Sequence, residues 1–427
     1  MPATEEDAGR LRSGGVPATL PSSGFGLREA TRGRDHRARP GSCQSLRWRC
    51  AGLRTAIVHD WFQGFHGSER AAEAIRGLLA DSSGQPADVF TFTAAKDLLP
   101  PDLAAAIVQE SRLAGLPLLR QRGHDQGRWR YLLPYMPRYF DRLDLEAYDI
   151  VVSSAHACAA GVRTRSDAAH VCYCYTPMRY LWLAETEQDR IRGLAATGMR
   201  LWRSRLRRHD LEASRRPDSY VAISTAVRER IRRFYGRDAI VIHPPVDTGR
   251  LRPDREREEK HFLWVHRLVA YKQPLVVAEA FRNLPYRLTM VGVGPLEAEL
   301  RAMKPPNVEL HGWVEDEELR TLYERAASFI HVGEEDFGIT MVEALAAGAP
   351  VIALNRGGAV DIVRHGVDGV LIDDATPQSV REGVRTVASR DWDPAALSKR
   401  ADTFSQDRFS ERFSAHLTDV IAGVSSR

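Results

Sequence analysis

Short apolar runs alternate with longer amphipathic stretches from Arg54 to the end of the chain. In the first half the runs Thr55–Asp60, Asp88–Thr93, Tyr148–Ser154, His170–Thr176 and Tyr220–Ser224 are rich in Val, Ile and Tyr. Runs this short, spaced by helical patterns, predict the strands of a parallel sheet with helices as crossovers. Ala239–His243 predicts one more strand, ended by Pro244-Pro245, since proline cannot donate to a ladder. The charged run Arg252–Lys260 reads as solvated linker. A second series then begins: His261–His266, Arg287–Gly292, Val308–Leu310, Ser328–Val332, Val351–Leu354 and Val370–Ile372. The pattern predicts two doubly wound α/β domains in tandem. Ligands of such sheets bind at the carboxyl ends of the strands, so two facing sheets imply an interdomain cleft. Phe409–Val424 is amphipathic and predicts a helix that crosses back to the first domain.

The first fifty or so residues lack any such period. Met1 to Leu53 is rich in Arg, Gly, Ser and Pro, as in Pro21-Ser22-Ser23-Gly24 and Arg32-Gly33-Arg34-Asp35-His36-Arg37. A segment like this cannot bury enough apolar area to offset its ordering entropy. It has no apolar core for a secretory signal, and Glu5, Glu6 and Asp7 argue against a transit peptide. It reads either as a disordered tail or as an over-extended start. The expected layout is therefore a disordered tail over 1–53, a Rossmann-like domain over 54–243, a second one over 244–408, and the returning helix over 409–427.

Composition narrows the function classes. The chain of 427 residues is 43% hydrophobic, enough for two or three cores. A formal net charge of +4 gives no global basic field, so no nucleic-acid partner is expected. No run reaches the ~18 apolar residues that a membrane span needs, and the expected location is the cytoplasm. Arg200–Arg216 is arginine-rich with Leu201, Trp202, Leu206 and Leu211. It could lie on an anionic membrane surface, giving a peripheral contact at the inner face, or be a solvated interdomain helix with a partial core face. The cysteines are Cys43, Cys50, Cys158, Cys172 and Cys174, an odd number with no zinc-module spacing. Neither a disulfide nor a structural metal is expected.

The most informative segment is His331-Val-Gly-Glu-Glu-Asp-Phe-Gly-Ile-Thr-Met-Val-Glu-Ala-Leu-Ala-Ala-Gly-Ala-Pro350. A buried strand ends near Gly333, and three consecutive acids come after it. Gly338 permits close backbone approach, a helix starts near Thr340, and Gly348 with Pro350 stops it. The helix N-terminus offers unpaired N–H groups at the carboxyl edge of the sheet. Glu335 precedes the helix and Glu343 lies on it, so one carboxylate can reach a sugar hydroxyl while the other grips a ribose diol. The competing reading is acids that complement the helix dipole.

These residues resemble the retaining glycosyltransferases of family 4, which share the GT-B fold. Their hallmark is two glutamates with seven residues between them around a Phe-Gly, matched here by Glu335, Phe337, Gly338 and Glu343. The resemblance implies that Glu335 and the backbone of Phe337, Gly338 and Ile339 hold the donor sugar, and that Glu343 holds the ribose. His261-Phe-Leu-Trp-Val-His-Arg-Leu-Val-Ala-Tyr-Lys272 resembles the family's strand ending in Gly-Arg-Leu and followed by Lys, with His266 in place of the usual Gly. Arg267 and Lys272 would then grip the diphosphate, as two fixed cations stabilise a leaving diphosphate. Gly357 and Gly358, between a strand and a helix, match a Gly-Gly turn that can present N–H groups to phosphate. Gly312-Trp313-Val314 corresponds to the base-binding turn, which assigns Trp313 and Val314 to the donor. Gly292-Val293-Gly294 lacks the third glycine of a dinucleotide fingerprint and is given no NAD role.

In the first domain, Gly67 and Ser68 come after the first strand and match a Gly-Ser pair near the donor phosphate; a capped structural turn is the other reading. His156 stands just past a strand end, where the family places a histidine close to donor sugar and acceptor. Cys172-Tyr-Cys-Tyr-Thr-Pro-Met-Arg-Tyr-Leu-Trp182 is similar to a signature of bacterial surface-polysaccharide mannosyltransferases, which often carry His where Tyr175 stands. That aromatic cluster could stack on an acceptor sugar or be core.

The implied function is a metal-independent retaining hexosyltransferase, with His156 and Glu335 as catalytic residues. It would move a hexosyl group, mannose favoured, from a nucleoside diphosphate sugar, GDP-mannose favoured, to a hydroxyl of a glycan or lipid-linked acceptor. No other cofactor is implied. Two alternatives stand beside it: a sugar-nucleotide 2-epimerase-like enzyme and a non-catalytic nucleotide-sugar-binding protein.

Overall fold

The computed structural model describes residues 52–115, 128–183, 194–254, 256–303 and 305–427. The tail reading for 1–53 falls almost wholly outside them. Two separate sheets form, each entirely parallel. The first holds β1 (Thr55–His59), β2 (Asp88–Thr91), β3 (Ile107–Gln109), β4 (Ile150–Ala155), β5 (Ala169–Cys174), β6 (Ser219–Ala222) and β7 (Ile240–Val241), in the order β3-β2-β1-β4-β5-β6-β7. The second holds β8 (Glu258–Val265), β9 (Arg287–Val291), β10 (Val308–Gly312), β11 (Ala326–His331), β12 (Val351–Leu354) and β13 (Gly369–Ile372), in the order β10-β9-β8-β11-β12-β13. Strand order reverses beside β1 and β4 in one sheet and beside β8 and β11 in the other. Those are the crevices where a doubly wound sheet accepts a ligand.

The strands form where the apolar runs lie, because a strand covered by helices on both faces must be apolar throughout. All five residues of β1 and all six of β4 and β5 are buried. Two expectations need correction. β3 has no apolar signature in the chain: of its three residues only Ile107 is buried, and Val108 is 53% exposed. The run Arg252–Lys260 is not all linker, since Glu258–Lys260 open β8. Their charge is tolerated because Glu258 pairs with Arg325 at 2.9 Å and with Arg287 on the adjacent β9 at 2.5 Å.

Seven helices matter for the site: α1 (Gly67–Ser83), α2 (Arg179–Trp182), α3 (Leu194–Ala213), α4 (Thr225–Tyr235), α5 (Ile339–Ala346), α6 (Ala359–Ile362) and α7 (Gln406–Ser425). The chain passes between the sheets twice, at Val246 and at Ser405, and the passages form a parallel bridge in which the Val246 amide donates to the Phe404 carbonyl at 3.0 Å. After the second passage α7, capped by Ser405, lies on the first sheet. Phe409 and Phe413 meet the ring of Tyr173 at 5.7 and 6.0 Å, and His416 pairs with Ser219 at 2.9 Å.

Tyr173 and Tyr175 are buried, and Trp182 stacks on Phe234 at 5.2 Å while its indole N–H donates to Asp210 at 2.6 Å. The aromatic cluster is therefore packing around β5 and α2. On α3, Arg203 and Arg207 both donate to the Leu181 carbonyl, closing the end of α2. Those two arginines hold structure, whereas Arg205, Arg208 and Arg215 face solvent. Among the described residues no helix is long and apolar enough to cross a membrane.

Because α7 is anchored by aromatic burial, Phe413→Ala should cost about 3–5 kcal/mol of stability. Urea unfolding measures this directly; a change under about 1 kcal/mol would show that the helix is not part of the first domain's core.

Candidate active site

The turns and loops at the carboxyl ends of the two central strands build each crevice. In the first sheet, β1 runs into Asp60, which is fully buried. Its carboxylate accepts four consecutive amides after β4, from His156 at 2.7 Å, Ala157 at 2.8 Å, Cys158 at 2.6 Å and Ala159 at 2.8 Å. That arrangement fixes the turn that carries His156. The imidazole of His156 packs edge-on to Trp61 at 4.1 Å, with Nδ1 3.6 Å from Asp60. Burial first, and the charge of Arg179 second, push it down to about 3, so it is neutral at pH 7. His59 beside it is also held down to about 3, chiefly by burial, and meets Ser154 Oγ through Nδ1 at 3.0 Å.

Gly67 and Ser68 open α1. The turn is a capping box: the His66 amide donates to Glu69 at 3.2 Å and Ser68 Oγ donates to the same oxygen at 3.0 Å. Burial pushes Glu69 up to about 7. A side chain at Gly67 would come within 2.9 Å of Ile339, so the start of α1 abuts the start of α5 from the other sheet. The turn is thus capped, as the structural reading expects, and its glycine also lies against the other domain. Tyr175, where the similar signature often has His, donates to the Ser68 carbonyl at 2.7 Å and meets Ser154 Oγ at 2.9 Å. It ties α1 to β4.

In the second sheet, β8 leads to His266 and Arg267. The close approach expected of a glycine before Arg267 is provided from the neighbouring strand instead. Gly292, at φ +140°, lies so close that a Cβ would collide with the His266 carbonyl oxygen. The His266 ring turns inward against Trp264 at 4.9 Å and His331 at 4.6 Å. Both imidazoles are held well below their ordinary pKa, mainly by burial and further by the Lys272 charge. Arg267 is exposed at the strand end, and Lys272 is buried at 6% exposure.

Lys272 forms an ion pair with Glu335, the residue four after β11. Gly333 makes this possible, because a Cβ there would lie 2.8 Å from the Tyr271 carbonyl oxygen. Glu335 also lies 3.9 Å from His331 Nε2. Glu343, one turn into α5, is buried and has other partners: an ion pair with Arg250 and a hydrogen bond from Tyr323 at 3.2 Å. The structure thus joins Lys272 with Glu335, and gives Glu343 two partners, Arg250 and Tyr323, that sequence reasoning missed.

The loop between β11 and α5 is held from below. Gly338 caps α5 at φ +104°, and a Cβ there would collide with Met341. The ring of Phe337 is 4% exposed and lies between His243 at 5.3 Å and Phe404 at 5.7 Å, beside the interdomain passages. Gly357 and Gly358, expected to present N–H groups to phosphate, lie beneath this loop. The Gly358 amide donates to the Glu335 carbonyl at 2.8 Å, and Cβ atoms at the two glycines would strike the backbone of Glu335 and Phe337. These glycines brace the loop. Trp313 and Val314 lie past β10, half-buried at the same carboxyl edge, after Gly312 at φ +67°.

Comparisons with known proteins agree with this architecture. Residues 57–250 match the model of Glycosyltransferase Family 4, and residues 250–404 match that of glycosyl transferases group 1. The chain is 27% identical to the D-rhamnosyltransferase WbpZ of Pseudomonas aeruginosa over 182 residues, which is 40% of this chain and 47% of that protein. It is 33% identical to a GDP-mannose-dependent alpha-mannosyltransferase of Corynebacterium glutamicum over 141 residues, 32% of this chain and 34% of the relative. The matches thus span less than two thirds of either relative. The crystal structure of Anabaena Alr3699/HepE in complex with UDP superposes with a TM-score of 0.60 at 18% identity, over 87% of this chain and 100% of the other.

Two measurements test the site's physics. Gly358→Ala must displace the Glu335–Phe337 backbone and should lower stability by about 1–3 kcal/mol in urea unfolding; an unchanged midpoint would mean that the brace is dispensable. His59 and His156, near 3, and His170, held down to about 4 mainly by burial, are neutral in the folded chain. The unfolded chain takes up protons below about pH 6.5, so their stability contribution is complete above that pH and is lost as pH falls toward 4. Urea unfolding between pH 7.5 and 5 should show the decline, with a shallower slope in His170→Gln. Equal slopes would contradict buried neutral imidazoles.

The two domains take the GT-B fold, and over residues 57–250 and 250–404 they match, in order, the models of Glycosyltransferase Family 4 and of glycosyl transferases group 1, which makes the chain glycosyltransferase-like throughout.

Proposed function

We propose that the protein is a retaining glycosyltransferase that moves a hexosyl group, mannose favoured, from a nucleoside diphosphate sugar to a hydroxyl of a glycan or lipid-linked acceptor in the cytoplasm. One observation carries the reading. Lys272 and Glu335 meet at the crevice of the second sheet, where a doubly wound fold binds nucleotides. A cation and a carboxylate side by side suit a ligand that presents a diphosphate next to sugar hydroxyls. The glutamate satisfies the lysine until the ligand arrives. Arg267 adds a second positive charge at the same strand end, and Glu343 is the group for the ribose. The start of α1, with Gly67 and Ser68, abuts Ile339, four residues after Glu335, from the first sheet. A relative that uses GDP-mannose supports that donor.

The chemistry rests on the charges. As the bond from the anomeric carbon to the diphosphate oxygen breaks, negative charge grows on the leaving group. Lys272, Arg267 and the helix N-termini stabilise it, so that a divalent ion is not required. The acceptor oxygen bonds to the anomeric carbon on the face the diphosphate leaves, and its proton passes to the departing phosphate oxygen. The configuration is retained. Neutral His156 orients the sugar through a hydrogen bond and brings no charge of its own to the reacting carbon. Closure of the two sheets excludes water and suppresses donor hydrolysis.

A thermal-shift panel of GDP-mannose, UDP-glucose, UDP-GlcNAc and dTDP-rhamnose should show GDP-mannose stabilising the protein most, by mass action. Proton NMR of the product should then show the donor's anomeric configuration kept. Glu335→Gln should lower turnover by about a hundredfold or more. An inverted anomer would remove the front-side path, and full turnover by the variant would remove the catalytic role of Glu335.

A further inference from the structure

Asp336 lies between the donor-side glutamate and the buried Phe337, yet its side chain reaches the other domain. One carboxylate oxygen accepts from Arg179 and the other from Arg230. Arg179 opens α2, just past the carboxyl end of β5, and Arg230 sits on α4, the helix after β6. Both arginines belong to the first sheet and Asp336 to the second. The side chains are 30%, 17% and 13% exposed for Arg179, Arg230 and Asp336, so the bridge is largely withdrawn from solvent. Glu334 adds a weaker contact to Arg230 at 3.5 Å. A charged bridge this shielded is much less screened than a surface pair.

Two further contacts give the bridge its place. The Glu335 carbonyl is held by the Gly358 amide, so the loop's seat on the second sheet does not need Asp336. The charge of Arg179 is felt by His156, which places this arginine beside the first sheet's crevice. The bridge therefore connects the residue next to Glu335 with an arginine beside His156.

We infer that Asp336 is a positioning residue for transfer: Arg179 and Arg230 hold it, and with it Glu335, against the first domain, so that donor sugar and acceptor are aligned only in the closed cleft. The inference rests on the glycosyltransferase reading. Nucleotide binding uses the second sheet and does not depend on the bridge. Alignment and exclusion of water do.

The test compares wild type, Asp336→Asn, Arg230→Met and the double variant, with GDP-mannose as donor and octyl mannoside as acceptor. Asp336→Asn should keep the thermal shift given by GDP. Its kcat for transfer should fall about tenfold to a hundredfold, the range expected for misplaced reactants. The share of donor released as free mannose should rise. Arg230→Met should behave alike, and the double variant should be no worse than the weaker single, because the residues act as one unit. Loss of the GDP shift, or multiplicative losses in the double variant, would overturn the inference. So would an Asp336→Asn enzyme with wild-type kcat and an unchanged free-mannose share. Wild type inert toward GDP-mannose would instead sink the functional reading, and this inference with it.

Discussion

The ion pair between Lys272 and Glu335 is the interaction on which the candidate site depends. Burying a lysine carries a desolvation cost of several kcal/mol, which its partner offsets only if the two are held in register. Here the register comes from elements far apart in sequence: the turn after β8 brings the lysine, and the loop after β11 brings the glutamate. Their meeting is possible because β8 and β11 are neighbours in the second sheet, at the point where strand order reverses. In the proposed reading the same pair opens to a diphosphate and a sugar.

Glycines supply the room. Gly333 lets the strand end approach the lysine turn, Gly338 supplies a left-handed cap, and Gly357 with Gly358 lets the next turn slide beneath the loop. The Phe337 ring completes the arrangement by packing against His243 and Phe404, next to the paired passages between domains. The loop that carries Glu335 is thus seated on the second sheet, wedged against the interdomain passages and bridged to the first sheet by Asp336.

Much of this was legible in the chain. Strands covered on both faces announce themselves as Val-rich runs, and both sheets were readable from them. The helix after Glu335 was readable from Gly338 and Gly348, and it spans Ile339–Ala346. β3 was not, because it buries a single residue. The start of β8 was not, because its charges are neutralised by Arg287 and Arg325, which lie elsewhere in sequence. The partners of the acids were hidden for the same reason. Arg250 is 93 residues from Glu343, and Arg179 is 157 residues from Asp336. Pairing over such separations leaves no local period. Arg179 did stand inside the Thr-Pro-Met-Arg-Tyr signature, but nothing local says that its charge leaves its own domain. The sequence around Gly357 and Gly358 could not tell a phosphate turn from a packing turn, because glycine pairs before helices serve both purposes; the partner of the Gly358 amide, the Glu335 carbonyl, lies 23 residues away.

A diffraction structure of the protein crystallised with GDP-mannose gives the most direct test of the site. The diphosphate should lie on Lys272 and Arg267, the hexose hydroxyls on Glu335 and the ribose on Glu343, with the Lys272–Glu335 pair opened by the ligand. A donor bound away from the crevice between β8 and β11, with that pair intact, would contradict the assignment.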